Sequence, residues 1–156
     1  MSTDRHVRLT ADGQTRLQEE LRELREEKLP ALLERIRGTT ANGDVNDNPE
    51  YEGTKEDLMN TEARIAELEQ TLDRAEIIPE GSPDGIVGLG SHVTVRDDED
   101  IEETWILVAP EEASTPDGRI STDSPVGQAL MGRTANDSVT VTTPGGEITY
   151  QILAVA

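Results

Sequence analysis

Apolar residues recur at helical spacing through the first part of the chain. Leu17, Leu21 and Leu24 follow the four-then-three spacing of a heptad, and charged residues fill the positions between them. Thr10, in front of this stripe, is a residue typical of a helix N-cap. Pro30 interrupts the pattern, and because a proline inside a helix removes a hydrogen bond, the sequence predicts a kinked helix. The apolar positions resume on a rotated stripe at Leu29, Leu32, Leu33 and Ile36.

A second helical stripe begins after a turn-rich segment. Asn48 and Pro49 are favourable residues for an N-cap and a first helical position. The seam of this helix consists of Leu58, Thr61, Ile65, Leu68, Leu72 and Ala75. Pro and Gly residues in segment 79–85 predict the end of the helix and a linker. Two helices of about 28 residues each, folded back on one another, would form a hairpin of about 40 Å.

From Ile86 onward the apolar period changes to two, which indicates β-strands. The predicted strands contain Val93 and Val95, residues 104–108, Val139 and Val141, and residues 148–152. The turn at residues 144–146 joins the last two strands as a hairpin. Ser124 and Pro125 predict the start of one short helix, and Gly132 predicts its end.

These patterns predict an α+β protein with two domains. We expect residues 1–78 to form a long antiparallel coiled-coil hairpin with an acidic tip at residues 43–51. Residues 79–85 are the predicted linker, and residues 86–156 are predicted to form a small α+β domain with an antiparallel sheet. A coiled coil needs only a thin apolar seam, which suits a chain with 33% hydrophobic and 2% aromatic residues.

The charge and composition exclude several classes of function. The net charge of -19 argues against general binding to nucleic acid or anionic membranes, since such binding requires clustered Lys and Arg. The lack of cysteine excludes disulfides and thiolate metal sites. The chain begins without a signal-peptide pattern and has no apolar run near the roughly 20 residues of a membrane span. We therefore expect a cytoplasmic protein without a membrane partner.

The turn between the two helices concentrates carboxylates. Asp44, Asp47 and Glu50 lie within the segment 43–51, and carboxylate oxygens are ligands that Mg²⁺ prefers. The same residue types are ordinary in turns and at helix starts, so spacing alone leaves both a metal-binding and a structural role open. The acidic run at residues 97–100 lacks the spaced oxygens and central glycine of a calcium loop, and it is predicted to be a solvated hairpin turn.

Three separated motifs resemble the bacterial Gre family of transcript-cleavage factors, in particular its GreA-like transcription elongation factors. The residues that match the family's tip pattern Gly-Asp-x-x-Glu-Asn-Ala-Glu-Tyr are Gly43, Asp44, Asn48, Glu50 and Tyr51. Residues 124–132 are similar to the family's Ser-Pro-x-Gly-x-Ala-Leu-x-Gly motif. Residues 143–147 are similar to its Thr-Pro-Gly-Gly-Glu turn. The resemblance extends over nearly the whole chain, from Leu9 to Val155.

This resemblance implies a fold, a partner and an activity. It implies an FKBP-like fold for the C-terminal domain, which would dock on RNA polymerase near the secondary channel while the coiled coil enters that channel. The tip would stimulate the polymerase's own cleavage of the 3′ end of backtracked RNA. The protein would then be no enzyme by itself. It would bind no cofactor alone, would share Mg²⁺ with the polymerase, and would be a monomer.

The same resemblance assigns roles to individual residues at the tip. Asp44 and Asp47 are the predicted catalytic carboxylates and ligands of the shared Mg²⁺. Glu50 is a weaker third candidate, with stabilisation of the helix N-terminus as its structural alternative. The predicted basic residues near the RNA are Lys55, Arg37 and Arg35, with exposed helix charge as the alternative for the two arginines.

A docking surface for the polymerase is predicted at Ser124, Pro125, Gly127 and Gly132. The structural alternative is a capped helix that packs Val126, Leu130 and Met131 into the small core. We expect both: apolar residues inward and an exposed edge towards the polymerase. Trp105 is predicted to belong to the core.

Three departures from the family pattern leave a second function open. Asp47 stands in place of a Glu, and a misplacement of about 1 Å can lower a geometry-dependent rate about a hundredfold. Pro49 replaces an Ala, and Thr40 stands where the family commonly has an Arg. The departures at Asp47 and Thr40 favour the alternative of a non-cleaving regulator or inhibitor that enters the same channel, whereas Pro49 stiffens the tip and either compensates for Asp47 or misdirects it.

Two further alternatives have less support. A prolyl isomerase needs an aromatic-rich pocket, whereas the C-terminal domain offers only Trp105 and Tyr150. A coiled-coil adaptor would leave the motifs of the C-terminal domain without a role.

Overall fold

The computed structural model describes residues 6–40 and 49–156, without the side chains of residues 39 and 40. The predicted catalytic residues Asp44 and Asp47 lie outside this part. Contacts divide the described chain into two units, one of residues 15–74 and one that combines residues 6–14 with Ala75–Ala156. Each unit is therefore described separately.

The first unit is a helical hairpin. Helix α1 spans Ala11–Glu23, a π-helical turn follows at Leu24–Lys28, helix α2 spans Leu29–Thr40, and helix α3 spans Pro49–Asp73. Helices α2 and α3 pack on each other. The hairpin therefore has one interrupted helical arm, from α1 to α2, and one continuous arm, α3.

The predicted seam of the second arm is confirmed. Its buried positions on α3 are Thr54, Thr61, Ile65 and Leu68, and Leu58 and Leu72 in the same stripe are half-buried. On the first arm Leu17 and Leu32 are buried. Ala75, which the pattern placed on the same helix, lies beyond its end.

The interruption predicted at Pro30 is the π-helical turn, which closes with the hydrogen bond of Leu29, the residue before the proline. The backbone N–H of Leu29 donates to the carbonyl of Leu24, five residues back, instead of to the carbonyl four residues back. Pro30 follows directly and has no N–H to donate. The arm therefore continues as a helix through the proline.

The end of the second helix differs from the prediction. Helix α3 ends at Asp73 instead of at the predicted linker, and strand β2 follows at Ala75–Ile77. This strand pairs in parallel with strand β1, Val7–Leu9, and the N–H of Ile78 donates to the carbonyl of Leu9 at 2.8 Å. The pairing explains why residues 6–14, assigned from the sequence to the helical domain, group with the second unit. Strands of three residues are too short to show a period.

The second unit is built on a sheet of five strands. They are β3 His92–Arg96, β4 Glu102–Val108, β5 Arg119–Ser121, β6 Ser138–Thr143 and β7 Gly146–Val155. Their order is β5-β4-β3-β7-β6. The pair β4–β5 is parallel and the others are antiparallel, so the sheet is mixed instead of purely antiparallel. The α+β class is confirmed.

Helix α4, Pro125–Leu130, closes one side of this unit. The core beneath it contains Val93, Val95, Leu107, Leu130, Val139 and Ile152. Trp105 is 9% exposed and meets Tyr150 edge to face, with ring centroids 5.2 Å apart. The prediction that Trp105 belongs to the core is confirmed. Burial, followed by the negative charges of Glu103 and of Asp97 and Asp98, raises the pKa of Tyr150.

The predicted turns of the second unit are also confirmed. The Asp97 carboxylate accepts hydrogen bonds from the N–H groups of Glu99 and Ile101, which makes residues 97–100 a turn stabilised by its own first residue. Thr143 Oγ1 donates to the carbonyl of Gly146 at 2.7 Å in the hairpin between β6 and β7. No helix in the described ranges is long and apolar enough to cross a membrane.

Candidate functional site

Helix α3 begins within the acidic segment 43–51. Pro49 is its first residue, and Glu50 and Glu52 lie in its first turn. Carboxylates at this end of a helix are stabilised by the helix dipole. The position of Glu50 therefore supports its structural alternative, and its exposure leaves a second role compatible with the fold.

The basic residues predicted near the RNA are exposed but do not form one patch. Arg35 and Arg37 are separated by about 200° around the helix axis, since each residue turns the helix by about 100°. They therefore lie on opposite sides of α2. Arg37 also lies 3.4 Å from the Glu34 carboxylate, which offsets part of its charge.

Lys55 lies in an acidic environment on the second arm. Together with Glu52, Gly53, Glu56 and Met59 it lines a shallow groove of about 340 Å³. Two carboxylates accompany this one ammonium group, so the groove has no net positive charge. Lys55 can contact a phosphate as a single cation, but the described residues give it no second cation in this groove.

The predicted docking helix α4 is held by the residues that its motif contains. Ser124 Oγ accepts from the N–H of Gly127 at 3.0 Å and donates to the carbonyl of Ser121 at 2.7 Å. Pro125 occupies the first helical position and is exposed. The N-cap prediction is therefore confirmed, and Pro125 presents its ring to the outside.

The two glycines of this motif act in different ways. Gly127 is buried, and a Cβ at this position would overlap the carbonyl of Ser121. It contributes by letting α4 lie close to the end of β5. Gly132 is exposed and has φ +81°, the left-handed conformation that commonly ends a helix.

The outer edge of α4 carries an exposed apolar residue. Leu130 is fully buried, whereas Met131 is 39% exposed. The structural alternative placed both residues in the core, and for Met131 it is wrong. Ile86 is 45% exposed in the neighbouring segment, where the N–H of Gly132 donates to the carbonyl of Val87 at 2.9 Å. The helix therefore combines an inward apolar face with an exposed edge, as expected.

One buried charge cluster was missed by sequence reasoning. Glu112 is 6% exposed and accepts from Thr10 through both its backbone N–H and its hydroxyl, at 2.9 Å each. Arg119 Nη1 donates to the same carboxylate at 2.9 Å and Nη2 to Asp12. A Cβ at Gly13 would overlap the Glu112 side chain. Thr10 and Glu112 are 102 residues apart, so no local pattern could reveal this cluster.

Nothing in the described part of the chain forms a complete metal site. No group of three His, Asp or Glu side chains in residues 6–40 and 49–156 is arranged to hold a metal ion. The assignment of Mg²⁺ to Asp44 and Asp47 stays a prediction.

Two family models match the chain, one for each half. Residues 7–77 match the model described as transcription elongation factor, N-terminal. Residues 82–156 match the model described as transcription elongation factor, GreA/GreB, C-term. The two matches together cover both units of the structure.

Curated relatives match over nearly their full length. Transcription elongation factor GreA of Roseiflexus sp. (strain RS-1) is 41% identical, with 98% of this chain and 99% of the relative covered. GreA of Chloroflexus aurantiacus is 42% identical over the same shares. GreA of Sinorhizobium medicae is 40% identical, with 96% of each chain covered.

Solved structures of related proteins also match. The crystal structure of GreA factor homolog 1 (Gfh1) of Thermus thermophilus is 33% identical, covers 97% of this chain and 99% of that chain, and has a TM-score of 0.47.

Proposed function

Because this chain belongs to the GreA/GreB family of transcription elongation factors, we propose that it stimulates RNA polymerase to cleave backtracked RNA. The second unit docks on the polymerase, and the helical hairpin enters the secondary channel. Cleavage is then carried out by the polymerase, and this chain supplies groups to that active site. We expect a monomer that acts in the cytoplasm and binds no cofactor on its own.

The observation that carries this proposal is the location of the acidic segment in the hairpin. Helix α2 ends at Thr40 and helix α3 begins at Pro49, so Asp44 and Asp47 lie in the connection between the two arms. A connection between two packed helices is the part of a hairpin that can reach into a narrow channel. Carboxylates placed there can be delivered to another protein's active site.

Asp44 and Asp47 would hold a Mg²⁺ ion shared with the polymerase. Mg²⁺ is usually bound by one or two carboxylates together with water and phosphate, so two carboxylates leave most of its ligand positions to other groups. This donor set fits an ion completed by a partner better than one resident on this chain. When bound, such an ion would stabilise charge on the phosphate and activate water.

The other predicted residues would bind and orient. Lys55 and Arg37 are exposed near the acidic segment and would contact the RNA backbone as single cations. Pro125 and Gly132 are exposed on α4 and would face the polymerase, whereas Ser124 and Gly127 would act indirectly by holding that helix in place. Glu50 would stabilise the start of α3.

The alternative of a non-cleaving regulator is favoured by the arrangement of charges near the acidic segment. Arg35 and Arg37 lie on opposite sides of α2, and Lys55 shares its groove with two carboxylates. A weak positive surface near the tip would hold RNA poorly, and Asp47 is one methylene shorter than the Glu of the family pattern. Such a protein could occupy the channel and slow synthesis without cleavage.

Cleavage of RNA in purified backtracked polymerase complexes separates the two functions. We expect the protein to release short 3′ fragments and Asp44→Asn to lower that release about a hundredfold, because the shared metal loses a charged ligand. Asp57→Asn makes the same change of charge at an exposed position of α3 and should leave release unchanged.

The opposite results are equally clear. Binding and slower synthesis without fragments would support the regulator, and fragment release that survives Asp44→Asn would remove the proposed role of that residue.

A further inference from the structure

The apolar stripe of the first arm contains one spacing that an α-helix cannot accommodate. Its members are Leu17, Leu21, Leu24, Leu29, Leu32 and Ile36. From Leu24 to Leu29 the stripe advances by five residues, where a heptad advances by four. At about 100° per residue, this places the second group of three about 90° around the helix from the first group.

Both groups nevertheless lie on the packed side of the arm. Leu17 in the first group is 7% exposed and Leu32 in the second is 4% exposed. Leu33, which lies off the stripe, is 40% exposed. The facing helix α3 has a single stripe without interruption, from Thr54 to Leu72, so both groups must face the same side.

The π-turn at Leu24–Lys28 supplies the missing rotation. Its hydrogen bond from the Leu29 N–H to the Leu24 carbonyl spans one residue more than an α-helical bond. A turn that contains one extra residue removes about 100° of rotation from the residues that follow. This nearly cancels the break of about 90° in the stripe.

Pro30 makes this place favourable for a wide turn. In an α-helix its N–H would have bonded the carbonyl of Glu26, but proline has no N–H. Pro30 therefore allows a π-turn without the loss of a hydrogen bond at residue 30. The rotated position of Leu29, Leu32 and Ile36 requires such a turn if they are to face α3.

Two partly exposed ion pairs join the arms before the π-turn ends. Arg64 Nε and Nη2 lie 2.5 and 2.9 Å from the two oxygens of Glu20, and Arg25 Nη2 lies 2.6 Å from Glu69. The hydrogen bond with Glu20 raises the pKa of Arg64 above its ordinary value.

These pairs flank the seam on opposite sides. Glu20 and Arg64 each precede a stripe residue, whereas Arg25 and Glu69 each follow one. This is the arrangement of the flanking charges that select alignment in a coiled coil. With the base of the hairpin aligned in this way, the orientation of α2 depends on the π-turn.

We propose that the π-turn Leu24–Lys28 is a positioning element that sets the rotational phase of α2 and thereby the directions of Arg35 and Arg37. The inference rests on the proposed function, because orientation matters only if α2 enters the polymerase channel. The π-turn contains one residue more than the heptad spacing of the apolar stripe requires. Removal of one residue there should leave the orientation of α2 unchanged.

Two single deletions with the same amino-acid composition test this claim. Deletion of Glu27 removes the extra residue from the π-turn and makes the spacing from Leu24 to Leu29 four. Deletion of Glu34 removes the same residue type from α2 and turns Ile36 and Arg37 by about 100°. Each deletion also removes one carboxylate near an exposed arginine, Arg22 or Arg37.

We expect deletion of Glu27 to keep fragment release at saturating protein within about twofold, while the melting midpoint should fall because Pro30 then lies inside a regular helix. Deletion of Glu34 should lower release at saturation by at least about tenfold. The concentration for half-maximal binding to the polymerase should stay unchanged in both variants, since docking uses the second unit. A purely structural role of the π-turn would change the melting midpoint without this difference at saturation.

The inference would be overturned if the two deletions lowered fragment release by the same factor and lowered the melting midpoint by the same amount. If the unaltered protein releases no fragments, the proposed function fails instead. In that case crystal structures of the hairpin in both variants still decide, because only deletion of Glu27 should replace the π-turn with regular helix and keep Leu32 buried.

Discussion

Thr61 places a hydroxyl group in the apolar stripe of α3. It is 3% exposed, and its Oγ1 is the one buried side-chain oxygen or nitrogen in residues 6–40 and 49–156 that lacks a hydrogen-bond partner. A buried hydroxyl without a partner lowers stability, because water no longer solvates it. A polar residue at one seam position can also select alignment at a cost in stability.

Thr61→Val should therefore stabilise the hairpin. The side chains have nearly the same shape, and the removal of the unpaired hydroxyl should raise the free energy of unfolding by about 1 kcal/mol. Chemical denaturation followed by circular dichroism measures this change. Thr61→Ser keeps the hydroxyl and removes a methyl group, so it should lower stability instead; a loss in Thr61→Val would mean that the hydroxyl is satisfied.

Single residues were predictable wherever their role is local. Ser124 as an N-cap, Thr10 as an N-cap and Gly132 as a helix end follow from backbone chemistry within a few residues, and the structure confirms each. Glu112 was not predictable, because its partners come from distant parts of the chain. Its own neighbours in sequence give no sign that it is buried.

At the scale of elements, the buried cluster joins the start of α1 to the turn at Pro110–Glu112 and to strand β5. Thr10, Glu112 and Arg119 are each at least nine-tenths buried. A buried ion pair adds little net stability against an apolar replacement, but the loss of one partner is strongly destabilising because the other charge stays buried. The cluster is therefore a place where one substitution should separate these elements.

Glu112→Gln tests this expectation. Arg119 loses its buried charged partner, and the free energy of unfolding should fall by about 2 kcal/mol or more. Urea denaturation followed by the fluorescence of Trp105 reports on this unit. Glu111→Gln changes an exposed neighbour and should have little effect; equal effects in both variants would show that the buried cluster does not stabilise the unit.

The elements that sequence patterns predicted share one property. The seam of α3 and strands β3, β6 and β7 extend over enough residues to display a period, and β4 ends in a continuous apolar run that is buried. Strands β1, β2 and β5 contain three residues each. Strands β1 and β2 pair in parallel across most of the first half of the chain, and β5 pairs in parallel with the preceding strand β4. In the sequence, the π-turn shows only as the rotated stripe that begins at Leu29, and a kink at Pro30 was sufficient to explain that rotation.

At the scale of the whole molecule, the two arms of the hairpin bury their apolar residues against each other within one chain. The exposed large apolar side chains in the described residues come from six separate segments of the chain: Leu33, Met59, Ile77, Ile86, Ile101 and Met131. The net charge of -19 also causes copies of the chain to repel one another. Neither feature favours self-association.

We therefore expect sedimentation velocity to give the mass of a single 17.0 kDa chain across a wide range of protein concentrations at physiological salt. Raising the salt concentration should not change the mass, because the described part of the chain exposes no apolar stripe that a second copy could cover. A dimer would contradict this expectation and would favour the coiled-coil adaptor.

The pairing of β1 with β2 makes the helical hairpin an insertion. The chain completes β1, leaves for residues 15–74, and returns to place β2 beside it. During synthesis, β1 and Thr10 therefore emerge long before their partners, β2 and Glu112. The second unit cannot complete its fold until the whole hairpin and Glu112 have been made. In evolution, the same topology allows one hairpin to be exchanged for another between two fixed strands, so hairpins with different chemistry can be inserted into the same second unit.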